Sequence, residues 1–130
     1  MKVLVIEDRE DVADMLCHAL RRKGYECDCE TEPERGLEKA LAGDYDLITL
    51  DLMMPHLNGF TIAERVRKAG VRTPILLVTG RTDDPLLKGS ARRAGIDRIL
   101  VKPVDLDQLY ECVGCLTGDF RAGCAEARGG

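Results

Sequence analysis

Four short strand-like runs in this chain each end on a polar residue of a kind that does chemistry. Val3-Leu4-Val5-Ile6 is followed by Glu7 and Asp8, and Leu47-Ile48-Thr49-Leu50 by Asp51. Ile75-Leu76-Leu77-Val78 is followed by Thr79, and Arg98-Ile99-Leu100-Val101 by Lys102. Three carboxylates brought together repel one another unless a cation sits among them. A hard, oxygen-ligated ion such as Mg²⁺ suits that set and keeps water or phosphate oxygens in its remaining positions. A lysine charge and a threonine hydroxyl on the far side would neutralise the oxygens of a phosphoryl group, whose transfer rests mainly on positioning and electrostatics. A carboxylate can also be the nucleophile, giving an aspartyl phosphate. Taken singly, each residue is ordinary: an aspartate after a strand is more often a cap, and a Lys-Pro pair is usually a turn. The joint placement is what points to chemistry.

For these groups to meet, the runs must be strands of one sheet with their carboxyl ends on one edge. Helical spacing at Val12, Met15, Leu16, Ala19 and Leu20 predicts a helix over 11–23, stopped by Gly24. A more polar strand is expected over 25–30, ending in Thr31, which adds nothing chemical. Thr31-Glu32-Pro33-Glu34 reads as a capping box opening a helix that runs to Ala42. Further helices are expected over 59–68, 82–94 and 105–116, with Asp105 as a cap. Pro85 and Gly89 weaken the fourth of these, which is expected to be short, late-starting or mobile. Continuous apolar strands alternating with helices imply a parallel sheet covered on both faces. Strand order 2-1-3-4-5, the doubly wound flavodoxin-like (βα)5 arrangement, places strands 1 and 3 side by side, so that Glu7, Asp8 and Asp51 converge where ligands bind.

The 130 residues suit one α/β domain, expected over 1–116, with 117–130 as a flexible tail or the start of a linker. The net charge of −4 argues against direct nucleic-acid binding. The apolar runs are too short to span a bilayer, and no leader-like segment opens the sequence, so a cytoplasmic chain with no membrane contact is expected. On that expectation its six cysteines are reduced thiols. Cys27 and Cys29 alternate with polar residues in the second strand. Cys112 and Cys115 form a CxxC inside a helical pattern. Cys124 is a possible third ligand, but no fourth is evident, so a metal or redox site there is not expected.

The segments VLVIED, DYDLITLDLMMPHLNGF, PILLVTG and ILVKP together resemble the receiver domain of bacterial two-component response regulators, over residues 1–116. The most specific part is Asp51-Leu52-Met53-Met54-Pro55 with Gly59 eight residues after the aspartate. The resemblance implies that Asp51 accepts a phosphoryl group from a sensor histidine kinase or a histidine phosphotransfer protein, as a switch rather than a turnover enzyme. It further implies that Asp8, Asp51 and the main-chain carbonyl of Met53 ligate Mg²⁺, with Glu7 acting through water. Thr79 would donate to the phosphoryl group and move on activation. Lys102 would pair with that group, and a cis bond to Pro103 would set the next loop. Arg9, Val12 and Met15 would lie on a partner-docking surface, although helical spacing suits Val12 and Met15 equally to core packing. A downstream target or an effector domain outside this chain would receive the signal.

Four departures surround the family's usual readout. Ile99 stands where Tyr or Phe is common, Gly80 where alanine is, and Arg98 replaces a frequent acid, while Pro85 and Gly89 interrupt the fourth helix. Activation is therefore expected to run through the backbone after Thr79 rather than through an aromatic side chain at position 99. Two rivals stand beside the switch. A phosphatase of the haloacid dehalogenase type would need a second aspartate two residues after the nucleophile, where this chain has Met53. A receiver-like binding module without phosphorylation would not require Glu7, Asp8, Asp51, Thr79 and Lys102, all of which are present.

Overall fold

A computed structural model describes residues 1–80 and 84–118. Strands and helices alternate: β1 (Lys2–Ile6), α1 (Glu10–Arg22), β2 (Glu26–Glu30), α2 (Pro33–Ala42), β3 (Leu47–Asp51), α3 (Gly59–Lys68), β4 (Ile75–Thr79), α4 (Leu87–Ala94), β5 (Arg98–Val101) and α5 (Leu106–Thr117). All neighbouring strands pair in parallel, in the order β2-β1-β3-β4-β5. The expected (βα)5 fold is therefore the observed one.

The period-2 alternation of the strands splits the core into two layers. Leu4, Ile6, Ile48, Leu50, Ile75 and Leu77 pack with residues of α2, α3 and α4 on one face. Val3, Val5, Leu47, Leu76, Val78 and Leu100 pack with α1 and α5 on the other. Because the three central strands are covered on both sides, all of Ile75–Thr79 and Leu47–Asp51 are buried. At the amino edge of the sheet one guanidinium ties several segments together. Arg67 donates to the carbonyls of Gly95, Val71 and Thr73 at 3.0, 2.9 and 2.8 Å, and to Asp97 at 3.0 Å.

Local chemistry sets the helix ends, and two differ from expectation. The first residue of α2 is Pro33 and its cap is Glu32, which makes no side-chain capping bond, so Thr31 does not form a capping box. Proline supplies the fixed φ that starts a helix without one. α4 begins at Leu87 rather than at residue 82. Asp84 accepts from the Leu86 amide through its side chain at 2.8 Å and from the Leu87 amide through its carbonyl at 3.1 Å. That turn around Pro85 competes with helix and delays its start. Residues 81–83 lie outside the described residues. Asp105 caps α5 as expected, accepting from the Gln108 amide at 3.1 Å. The tail from 119 onward, with Cys124, is outside the described residues.

The thiols bring a second correction. Cys27 and Cys29 occupy alternate positions of β2, on the face covered by α1, and Cys17 sits on the sheet-facing stripe of α1. Cys17 and Cys29 are joined as a disulfide, with Cα atoms 6.6 Å apart, so this pair is not in the expected reduced form. Cys112 and Cys115 of the CxxC lie buried and half-buried on α5.

Candidate functional site at the carboxyl edge of the sheet

The register of β1 against β3 pairs Ile6 with Leu50, so the residues that follow, Glu7, Asp8 and Asp51, meet above the sheet. One carboxylate oxygen of each lies within 4.8 Å of the others. β4 delivers Thr79 next to Asp51, and the amide of Lys102 bonds to the carbonyl of Thr79 at 2.9 Å, which fixes β5 to that edge. Lys102 Nζ then reaches back over the edge, 2.7 Å from Glu7 Oε1 and 3.6 Å from Asp51 Oδ2. The Lys102–Pro103 peptide is cis, as the resemblance implied.

The loop after β3 is seated by close backbone contact. The Gly59 amide donates to the Leu52 carbonyl at 2.9 Å, and Asn58 caps α3 by accepting from the Thr61 amide at 2.9 Å. A β-carbon at position 59 would lie 2.6 Å from the Asp51 carbonyl oxygen, so only glycine lets α3 approach the acidic residue this closely. Met53 is 58% exposed at the mouth of the site, while its main-chain N–H bonds to the Asp51 carboxylate.

Burial governs the electrostatics. Glu7 is 1% and Asp51 7% exposed. Burial raises the Glu7 carboxyl from its ordinary 4.5 to about 7, against the pull of the Lys102 ammonium and the Arg9 amide, which donates to Glu7 Oε2 at 3.1 Å. Burial also raises Asp51, a shift that Lys102 opposes and the negative charge of Asp8 reinforces. One lysine cannot balance three carboxylates. Asp8 Oδ1 is moreover buried without a hydrogen-bond partner, a costly state for a carboxylate oxygen. An all-oxygen donor set with one such oxygen fits a hard divalent cation.

The structure thus brings together all five side chains expected at the site. On the docking surface, Arg9 is exposed and Met15 is 38% exposed, whereas Val12 is partly buried against the core and fits the packing reading. Sequence reasoning missed Cys17 as a neighbour of Cys27 and Cys29. The available signal was the meeting of two faces, the inward side of β2 and the buried stripe of α1.

An acidic pair after β1, an aspartate ending β3, a threonine ending β4 and a lysine after β5, on a 2-1-3-4-5 sheet, define a receiver domain. The response regulator receiver domain family matches residues 3–114, and the chain belongs to that family. It is 39% identical over 108 residues to the response regulator ArlR of Staphylococcus haemolyticus, covering 83% of this chain and 48% of that protein. It is 37% identical over 109 residues to the transcriptional regulatory protein DltR of Streptococcus agalactiae, covering 84% and 48%. The chain spans about half the length of these curated relatives. Among solved structures, the receiver domain of the Francisella response regulator 1452 superposes with a TM-score of 0.84 at 27% identity, covering 92% of this chain and 98% of that one. The response regulator TrrA of Thermotoga maritima, solved in complex with Mg²⁺–BeF, superposes with a TM-score of 0.80 at 32% identity, covering 88% and 97%. No helix among the described residues is long and apolar enough to cross a membrane.

Proposed function

We propose that this receiver domain is switched by phosphorylation of Asp51, with residues 1–116 as the receiver unit and 117–130 as a tail or linker. A carboxylate oxygen of Asp51 attacks the phosphorus of a phosphohistidine on a sensor kinase or phosphotransfer protein. The P–O bond forms as the P–N bond breaks, and the imidazole nitrogen takes up the electron pair and a proton. The observation that carries this reading is the placement of Asp51 between the Asp8 carboxylate and the Lys102 ammonium, 3.6 Å away. Lys102 supplies the fixed positive charge for the phosphoryl oxygens, and Thr79, at the end of the neighbouring strand, supplies a hydroxyl donor. Asp8, Asp51 and the Met53 carbonyl would hold Mg²⁺, with Glu7 reaching it through water. When bound, that ion supplies charge neutralisation for the incoming phosphoryl group.

Met53, rather than an acid–base aspartate, supports a switch without turnover. Arg9, which caps α1, and Met15 on α1 are exposed, and a kinase or phosphotransfer protein would dock there. A cytoplasmic location without membrane contact is part of this reading, and the acidic charge speaks against direct nucleic-acid binding. Output would pass to a partner or to an effector domain. The test is incubation with Mg²⁺ and acetyl phosphate followed by intact-mass measurement. One hydroxylamine-labile phosphoryl group is expected on the parent and none on Asp51→Asn. Labelling of that variant would refute the assignment.

A further inference from the structure

A second cluster of ligating side chains lies away from the carboxylates. Cys17 of α1 and Cys27 and Cys29 of β2 bring their sulfurs within 4.8 Å of one another. Cys27 Sγ is 2.8 Å from Cys17 Sγ, and Cys29 Sγ is 3.5 Å from the carbonyl oxygen of Ala13. Cys17 and Cys27 are buried in the apolar layer that contains Val5, Leu16 and Leu20, and Cys29 is half-buried at its rim. The cluster is held by elements that form without it: β2 is in register with β1 along its whole length, and α1 is anchored by its own buried stripe. The phosphoryl chemistry uses none of these residues.

We propose that, in the reduced chain, Cys17, Cys27 and Cys29 form a three-sulfur site for a soft monovalent cation, Cu⁺. Among the described residues no histidine or carboxylate joins this cluster. A structural zinc site almost always has four ligands, and hard ions such as Mg²⁺ favour oxygen. Soft thiolates select Cu⁺, and the closed apolar surroundings exclude water and harder ligands. Burial raises the Cys27 thiol to about 12, and the guanidinium of Arg21, which donates to the Cys27 carbonyl at 2.6 Å, opposes that shift. Each sulfur that coordinates releases its proton to solvent, and no electron moves, so the copper stays monovalent. The Cys17–Cys29 disulfide is the competing oxidised form. A dithiol reductant returns it to two thiols by giving up two electrons and two protons, becoming a disulfide itself.

To test this, the full chain is reduced with dithiothreitol, freed of it without oxygen, and titrated with Cu⁺ against the coloured chelator bathocuproine disulfonate. The expected result is one Cu⁺ per chain withheld from the chelator, with thiolate-to-copper absorption in the near ultraviolet. Cys27→Ala and Cys29→Ser should each weaken retention by more than the ~10-fold that loss of an outer-shell partner costs. A chain with Cys112, Cys115 and Cys124 all changed to serine should bind like the parent. Circular dichroism and acetyl phosphate labelling of Asp51 establish that each variant is folded. Cys29→Ser, at the half-buried position, decides the matter if Cys27→Ala does not fold. The proposal is overturned by any of four results: copper surrendered to the chelator, retention unchanged in the variants, retention that follows Cys112 and Cys115, or Zn²⁺ held in preference to Cu⁺. A disulfide that survives the reductant overturns it as well. The labelling assay reads the Asp51 assignment separately, so either proposal can fail without the other.

Discussion

The edge above β1 and β3 and the flank formed by α4 and β5 differ in how firmly they are held. At the edge, Glu7 is gripped by Lys102 and by the Arg9 amide, and α3 presses its first residue against the Asp51 backbone. On the flank, α4 has only eight residues, its cap Leu86 makes no side-chain bond, and Gly89 is its third residue, in the first turn. β5 has four residues, of which only Leu100 is buried. A phosphoacceptor needs donors and charges fixed in advance, whereas an element that must respond to it needs low local stability. The molecule separates the two requirements, and the departures at Pro85, Gly89, Arg98 and Ile99 fall on the looser side, while Gly80 directly follows Thr79 where the two meet.

The largest expected effect lies on the firm side. Asp8→Ala should slow Mg²⁺-dependent labelling of Asp51 by about 100-fold or more, as loss of a preorganised electrostatic group does. Glu7→Ala should cost far less. In the metal-free state Asp8→Ala should be at least as stable as the parent, since it removes a buried oxygen without a partner. Equal loss of labelling in both variants would show that Asp8 and Glu7 do not have distinct roles.

The next effect is a pH dependence. Glu7 titrates near 4.5 when unfolded and at about 7 when folded, so within that window the folded chain holds a proton that the unfolded chain has released. Without metal, stability should therefore be greatest below 4.5 as far as this group decides it, and fall as pH rises, the loss being complete above about 7. The contribution is at most ~3 kcal/mol. Urea unfolding in a chelator at about pH 5 and about pH 8 measures it, and Glu7→Gln should flatten the difference. A parent whose stability does not fall over this range would mean that burial does not govern Glu7.

Smaller effects belong to the flank. A β-carbon at position 89 would meet only the Arg93 guanidinium, at 3.5 Å, so Gly89→Ala should stabilise the protein by up to about 1 kcal/mol and slow amide exchange over 87–94. In the parent, exchange there should be faster than in α1. At position 80 a β-carbon would meet only Lys102 Cβ, at 3.8 Å, and Gly80→Ala should add about 0.5 kcal/mol by restricting the unfolded chain. If neither change stabilises the chain, the looseness assigned to this flank is not there.

Much of this was legible because apolar strands must be followed by something, and here each was followed by a reactive residue. The sheet order then placed Glu7, Asp8 and Asp51 together without further information. Less legible was anything that depended on competition between local and tertiary forces. Thr31 offered a capping pattern, yet Pro33 started the helix one residue after Glu32. Pro85 and Gly89 marked α4 as weak, but its start depended on Asp84 capturing two amides. Lys102 reaches the carboxylates as expected, although its closer partner is Glu7, at 2.7 Å against 3.6 Å for Asp51. The meeting of Cys17 with Cys27 and Cys29 required the docking of α1 on β2, which no single run of sequence displays.

The Arg67 tie at the amino edge has a mechanical consequence. It fastens the end of α3, the approach to β4 and the turn between α4 and β5 to one planar group, and Gly95 leaves no room to slide, since a β-carbon there would lie 2.5 Å from Arg67 Cγ. Any displacement of α4 and β5 is therefore expected to pivot like a door on its jamb, with the greatest travel beside Thr79 and almost none at Asp97.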